Sequence, residues 1–290
     1  MGNIATTFNE QIALLEKRGM VFDYEPNKVK EVLLDIGYYR LGFYWHPFVV
    51  DGHHNLVNGI KFSDIVNLYY LDVDLRNILT KFLNRIEINF RTKLVYYVSN
   101  KYKTSPTWFI DPKIVDQDFI QDILKYYNED FKKSNKPIKK HHQKYLNDKY
   151  APAWKTLEFF TFGVILKIFK NLHDRQIQER ITNIYGIKNL QKFISLMETL
   201  VLLRNTCAHG GVLFDLKIPR GISKIPDIIF NNNDRMSLDS SIKVVSFFLN
   251  KISNDRKHEM ETLINERFQN YRNNTFVRSV IEKEISFIYI

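Results

Sequence analysis

The segment 204–209 places an arginine, an asparagine and a histidine within six residues. Cleavage of RNA without a metal needs a group that transfers protons near neutral pH and a fixed cation beside the phosphorus. Histidine and arginine are the side chains that meet these two needs, and arginine holds phosphate through a planar pair of donors. In this interpretation His209 transfers the proton, Arg204 holds the phosphate, and Asn205 orients one of the two.

The spacing alone does not separate this chemistry from a structural role. In a 290-residue chain, 14 arginines and 8 histidines would meet at this spacing about 0.4 times by chance. Arg40 and His46 form a similar pair, which we interpret as structural because it lies in an aromatic-rich segment. For Arg204 and His209 the structural alternative is a buried arginine paired with a carboxylate and a histidine that closes a helix.

Apolar periodicity predicts the element that carries these groups. The apolar stripe of residues 193–200 continues with Arg204, so a guanidinium falls where a core residue is due and needs a partner or a purpose. Asn205 and His209 are four residues apart and share a neighbouring helix face. Gly210 follows and allows the helix to end there.

The same periodicity predicts a mainly all-α fold. Thr7 and Glu10 predict a capping box at the first helix, and Ser63 predicts the start of a long helix that ends near Tyr97. Strand patterns are scarce, with two short extended pieces predicted at 212–218 and 285–290. Further helices are predicted at 27–37, 118–131, 154–172, 190–209, 239–252 and 255–271.

Composition narrows the class of protein. The chain is 44% apolar, which is ample for a core, and its net charge of +10 favours a polyanion partner. A single cysteine, Cys207, excludes an internal disulfide and a cysteine-based zinc site, and phosphate-binding glycine motifs are absent. No secretion signal or membrane span is indicated, so we expect a cytoplasmic protein without metal or cofactor.

A basic segment at 132–149 holds seven lysines against one acid, Asp148. Tyr145 and Tyr150 lie within or beside it and could stack on bases, so RNA binding is one interpretation and a solvated loop is the other. The candidate RNA-binding residues are Lys132, Lys133, Lys136, Lys139, Lys140 and Lys144. His141 and His142 lack further ligands at metal spacing, so no zinc site is predicted.

Several blocks of the chain resemble the Abi-like abortive-infection family, of the AbiD/AbiF type. The likeness covers roughly residues 5–220 and follows the family's order along the chain. The blocks that carry it are residues 36–41 (IGYYRL), 45–48 (WHPF), 85–91 (RIEINFR), 152–158 (PAWKTLE), 162–163 (FG) and 200–209 (LVLLRNTCAH).

The resemblance implies a helical protein of the HEPN superfamily, many of whose members are metal-independent endoribonucleases with an R-x4–6-H motif. It implies Arg204, Asn205 and His209 as motif residues, a composite site between two copies, and a role in phage defence. Restraint of the enzyme by a partner RNA or protein is also implied. Where the family motif continues with a histidine and an arginine, this chain has Gly210 and Val212.

From the sequence we therefore expect a HEPN-type helical bundle that cleaves RNA by 2′-hydroxyl attack and forms a homodimer. Residues 1–60 are predicted to be a helical, aromatic-rich segment packed on a helical domain of residues 61–290, with the basic insertion near 132–149. The alternative is a non-catalytic RNA-binding protein in which Arg204 and His209 bind phosphate or are structural. Glu158 is a candidate partner for a buried arginine, or a carboxylate that orients Arg204 or His209.

Overall fold

The computed structural model describes residues 4–289, and within them the regular structure is α-helical, with 14 α-helices, short 3-10 turns and no strand. The predicted all-α fold class is therefore confirmed. The helices are α1 Phe8–Lys17, α2 Pro26–Asp35, α3 Tyr38–Trp45, α4 Phe62–Lys101, α5 Gln117–Tyr126, α6 Glu129–Ser134, α7 Lys136–Lys144, α8 Ala153–Thr156, α9 Phe162–Lys170, α10 Arg175–Ile184, α11 Leu190–Ala208, α12 Leu238–Asn250, α13 Asn254–Gln269 and α14 Thr275–Lys283.

Helix α4 is the central element. Its 40 residues span about 60 Å at 1.5 Å per residue. A continuous apolar line along it is buried, as the periodicity predicts, and includes Leu75, Phe82 and Phe90. The helix begins one residue before the predicted cap Ser63, whose hydroxyl instead donates to Asp23 Oδ2 at 2.6 Å.

The core forms where α11, α12 and α13 pack against α4. Aromatic rings from different helices meet there. The ring centroids of Phe90 in α4 and Phe193 in α11 lie 6.0 Å apart, and those of Phe193 and Phe248 in α12 also lie 6.0 Å apart. These rings are fully buried. Because they join the ends of several helices to one site on α4, they fix the position of α11 relative to α4.

The N-terminal segment packs on the same central helix. The predicted capping box of α1 is confirmed, with the Glu10 carboxylate accepting from the Thr7 backbone N–H at 2.8 Å. Helix α3 contacts α4, and α3 together with the 3-10 turn that follows it buries Leu41, Tyr44 and Phe48. The aromatic-rich segment is thus part of the core.

The two predicted extended pieces are not strands in residues 4–289. After α11 the Leu213 N–H bonds to the Asp72 side chain, and the Leu216 N–H closes a turn on the Leu213 carbonyl. The Ile218 N–H bonds to the more distant Met236 carbonyl at 2.9 Å, but no ladder of strand pairing forms among the described residues.

The basic segment is helical over most of its length. Pro137 lies in the first turn of α7, where its missing N–H costs no helical hydrogen bond, so it starts this helix and separates it from α6. Tyr127, Ile138 and Ala151 form a small apolar cluster beneath the segment. The lysines therefore project from a folded element.

Candidate functional site

The predicted motif lies at the C-terminal end of α11, and His209 is the first residue beyond the helix. Gly210 adopts a positive φ of 66°, a conformation that favours glycine. A Cβ on Gly211 would lie 2.7 Å from the Thr206 methyl group, so only glycine fits against the last turn. The two glycines turn the chain away directly after His209.

Arg204 is held by a buried carboxylate of α4. Its Nε lies 3.4 Å from Glu87 Oε2, and its Nη1 donates to Asn205 Oδ1 at 3.4 Å. The Arg204 side chain is 26% exposed, whereas the Glu87 side chain is 8% exposed. Arg204 therefore takes the predicted core position only in part. Its guanidinium pairs with the buried Glu87 on one side and is exposed to solvent on the other.

Glu87 also binds a second arginine. Its Oε1 accepts from Arg91 Nη2 at 2.5 Å, one helical turn further along α4. Two guanidinium groups thus share one carboxylate, and we call Arg204, Glu87 and Arg91 the Glu87 bridge. Arg204 is the more exposed of the two guanidinium groups, at 26% against 9% for Arg91, so it is the one that an anion can reach.

Arg91 extends the bridge to the segment after α8. Its Nη2 donates to the Phe160 carbonyl at 3.1 Å, and its Nη1 lies 3.7 Å from Glu158 Oε1. Glu158 therefore pairs with a buried arginine, as one of its two interpretations predicts. It makes no direct hydrogen bond or ion pair with Arg204 or His209 among the described residues.

The histidine and the asparagine face solvent. Both His209 and Asn205 are exposed, and the His209 ring makes no hydrogen bond or ion pair within residues 4–289. On an ideal helix, residues five apart point about 140° away from each other. The structure thus places Arg204 and His209 on one exposed helix end but does not bring their side chains together within one chain.

Cys207 takes no part in this exposed end. Its side chain is buried, and burial raises the pKa of the thiol to about 12, with the charge of Asp72 acting in the same direction. A thiol that stays protonated is a poor nucleophile. Cys207 is therefore a packing residue on the inner face of α11.

A second buried carboxylate holds the chain that follows the motif. Asp72 Oδ1 accepts from the Leu213 N–H at 2.7 Å, and Oδ2 accepts from the Tyr44 hydroxyl at 2.9 Å and pairs with Arg76. Arg76 also donates to the Gly211 carbonyl at 3.0 Å. Helix α4 thus anchors the post-motif loop, residues 210–215, through Asp72 and Arg76.

The predicted RNA-binding lysines form a separate surface. Lys136, Lys140 and Lys144 recur every four residues on α7, so they share one face, opposite the buried Ile138 and His141. Lys133 and Lys139 are also exposed, whereas Lys132 is half-buried and pairs with Glu129 at 2.8 Å. Among the described residues none of the six contacts Arg204, Asn205 or His209 through a hydrogen bond or an ion pair.

Among residues 4–289 no group of three or more His, Cys, Asp or Glu side chains is placed to hold a metal ion. Over the same residues no helix combines the length and the apolar character that crossing a membrane requires.

Sequence reasoning missed the two carboxylates that position the site. Glu87 and Arg91 are four residues apart on α4, as are Asp72 and Arg76, and this spacing is typical of ion pairs on one helix face. That signal could have identified both pairs. It could not have shown that the first pair meets Arg204 and the second meets the post-motif loop, because these contacts join distant parts of the chain.

The protein is thus an all-α protein with an exposed Arg-Asn-His motif at a helix end. A sequence model described as Abi-like protein matches residues 31–215, which is more than half of the chain. The chain belongs to this Abi-like family, and membership indicates a role in abortive infection. Neither a search of curated proteins nor a search of solved structures found a match.

Proposed function

We propose that the protein is a metal-independent endoribonuclease of the HEPN superfamily, of the AbiD/AbiF type, that acts in abortive infection. The observation that carries the proposal is the Glu87 bridge: it fixes Arg204 beside Asn205, one turn before the exposed His209. The Arg204 guanidinium is fixed by Glu87 and partly exposed to solvent, which suits it to bind a phosphate. The exposed imidazole of His209 is suited to proton transfer.

In the proposed reaction His209 takes the proton of a 2′-hydroxyl. The 2′-oxygen attacks the adjacent phosphorus, the bond from phosphorus to the 5′-oxygen breaks, and a proton goes to that leaving oxygen. Arg204 binds the non-bridging oxygens, where negative charge develops. The products carry a 2′,3′-cyclic phosphate and a 5′-hydroxyl.

A second copy of the chain completes this site in our proposal. The reaction needs one proton acceptor and one proton donor, and a single chain offers one exposed histidine at the motif. Two copies of the α11 end facing each other would supply both groups. The motif is exposed in the monomer, which leaves it accessible to such a partner.

The test is cleavage of end-labelled total RNA in EDTA by the wild type and by the Arg204→Ala and His209→Ala variants. We expect cyclic phosphate ends from the wild type and none from either variant. An excess of the His209→Ala variant should lower the activity of the wild type if the site forms between copies, because each mixed pair then keeps only one of the two histidines. Intact RNA with the wild type under all conditions, or cleavage that EDTA abolishes, would contradict the proposal.

The second candidate function is RNA binding without cleavage. The lysine face of α7 favours it, since an exposed row of cations suits a phosphate backbone. In either function the partner is RNA, and the protein acts in the cytoplasm. One of its RNA partners in this proposal is a cognate RNA that restrains its activity. A gel shift that survives both motif substitutions, together with intact RNA, would support binding alone.

A further inference from the structure

A cleft lies beside the Glu87 bridge, on the side of Arg91. Helix α4 forms one wall, and the segment 154–158 forms the other. Its volume is about 370 Å³, within the range of about 300–1,000 Å³ that is usual for small-molecule sites. Two of its lining residues are aromatic, Tyr96 and Trp154, and we call it the Tyr96–Trp154 cleft.

The two aromatic side chains are largely exposed to solvent. Tyr96 is 60% exposed and Trp154 is 53% exposed, although the other two tryptophans of the chain are buried. Exposed aromatic faces at a nucleic-acid site stack on bases of any sequence. The cleft therefore offers stacking surface on both of its walls.

Polar groups along the cleft have unused hydrogen-bonding capacity. The Asn100 amide donates to the Tyr96 carbonyl at 2.8 Å, and its Oδ1 has no hydrogen bond within residues 4–289. The Thr92 hydroxyl, on the same wall, is likewise without a hydrogen bond in that range. These groups can bind the edge of a flat polar ring.

The charge in the cleft favours a base over a phosphate. Glu158 is 62% exposed on the wall that carries Trp154, and its carboxylate repels a phosphate oxygen. A carboxylate accepts hydrogen bonds from an exocyclic amino group, as in pairing with cytosine N4. Adenine, cytosine and guanine carry such a group and uracil does not.

The cleft is connected to the motif by shared side chains. Arg91 lines the cleft and binds Glu87 Oε1, while Arg204 binds Glu87 Oε2. We propose that the Tyr96–Trp154 cleft binds an unpaired, amino-bearing nucleobase of the RNA strand whose phosphate lies at Arg204. This inference rests on the proposed function, because it assumes that the motif receives RNA.

The experiment measures binding of 2′-O-methyl oligonucleotides of cytidine and of uridine, which cannot be cleaved because the 2′-oxygen is methylated. Fluorescence anisotropy of the end-labelled oligonucleotide gives the affinity of every variant. In the wild type, quenching of tryptophan fluorescence also reports on Trp154, because Trp45 and Trp108 are buried. We expect the wild type to bind the cytidine oligonucleotide more tightly than the uridine one. Trp154→Ala should weaken cytidine binding about 5- to 150-fold, the range for loss of one stacked base.

Two further variants separate the interactions. Glu158→Gln should reduce the preference for cytidine over uridine while retaining most of the affinity. Tyr70→Ala is the matched control for Tyr96→Ala, because Tyr70 is also an exposed tyrosine of α4 but is not among the residues of the cleft. Of the two tyrosine substitutions, only Tyr96→Ala should weaken binding of the cytidine oligonucleotide.

The outcomes distinguish the cleft from the nuclease. Quenching that favours cytidine, without cleavage of total RNA by the wild type, would support the cleft and contradict the nuclease. Equal cytidine affinity in the wild type and Trp154→Ala, with cleavage intact, would overturn the cleft alone. Conversion of a dimer to a monomer by Trp154→Ala in sedimentation, at unchanged RNA affinity, would also overturn it, because the cleft would then be an interface between copies.

Discussion

Two arginine–histidine pairs occupy helix ends in this protein, and their surroundings differ. Arg40 of α3 donates to the Tyr44 hydroxyl at 3.2 Å and lies over the rings of Phe43 and Tyr44. Arg204 of α11 is instead bound to a carboxylate that also binds Arg91. Both histidines, His46 and His209, directly follow their helices and are exposed.

The difference shows that spacing along a helix does not define a site. At α3 the guanidinium contacts aromatic faces and a neutral hydroxyl that belong to the same helix. At α11 a buried carboxylate fixes the guanidinium, and Arg91 and Glu158 extend the same chain of ion pairs. The electrostatic partner therefore separates the two pairs better than the residue pattern does.

The largest expected effect is on RNA cleavage. Arg204→Ala and His209→Ala should each lower the cleavage rate by about 10²- to 10⁴-fold, the range for loss of a proton-transfer group or of charge stabilisation. His46→Ala should leave the rate within about twofold, because it changes an exposed residue. Initial cleavage rates on one RNA substrate measure these effects. Equal losses of rate in His46→Ala and His209→Ala would contradict the distinction between a structural pair at α3 and a catalytic pair at α11.

The Glu87 bridge can be tested by its effect on stability. Glu87→Ala removes the buried carboxylate that pairs with Arg91 and Arg204, so the free energy of unfolding should fall by about 3–5 kcal/mol. Glu158→Ala is the control, since it removes an exposed carboxylate from Arg91 and should cost at most about 1 kcal/mol. Denaturant titration gives both values, and similar losses would mean that the bridge contributes little.

Asp72 links the two regions, because it binds Tyr44 beside Arg40 and the Leu213 N–H after the motif. Asp72→Asn removes the charge from these hydrogen bonds and should cost about 1.5–3 kcal/mol. Hydrogen exchange at Leu213 should accelerate, since its acceptor becomes weaker. Asp74→Asn changes a half-buried neighbour on α4 that pairs with Arg267 instead of the loop, and it should leave that exchange unchanged. Unchanged exchange in both variants would show that the loop does not depend on Asp72.

The smallest expected effect serves as a stability control remote from both pairs. Burial raises the pKa of Asp174, but hydrogen bonds from Lys101, the Ile177 N–H and Tyr102 outweigh burial and hold the pKa below its usual 3.8. The ionised carboxylate therefore stabilises the fold above pH 3.8, and this contribution is lost as the pH falls through the folded-state pKa.

Asp174→Asn should thus lower the free energy of unfolding by up to about 1 kcal/mol at pH 7 and by less near pH 3. Denaturant titrations at the two pH values measure the difference. RNA cleavage at pH 7 should be unaffected, which would separate loss of stability from loss of function at the motif. A larger effect at pH 3 than at pH 7 would contradict the direction of the pKa shift.

Much of the fold could be predicted because local signals dominate it. The capping box at Thr7 and the apolar line of α4 depend on residues within a few turns of each other, and both are confirmed. The prediction of two extended pieces was wrong, because their apolar residues pack through tertiary contacts and the periodicity of a sequence does not report such contacts. Residues 154–172, predicted as one helix, form two α-helices and a 3-10 turn.

The candidate site was predicted only in part. Arg204, Asn205 and His209 lie on the predicted helix end, and their roles remain predictions. The need of Arg204 for a partner followed from its place in an apolar stripe, but the identity of that partner did not. Glu87 precedes Arg204 by more than a hundred residues, and only the packing of α11 on α4 brings the two together.

The length and continuity of α4 have a consequence for how its sequence can vary. The helix carries Asp72 with Arg76 and, further along, Glu87 with Arg91, so the angle between the two pairs is set by the number of residues that separate them. Deleting one residue between them would rotate one pair by about 100° relative to the other. Length changes should therefore be tolerated in the exposed loop 51–55 and rejected between Arg76 and Glu87.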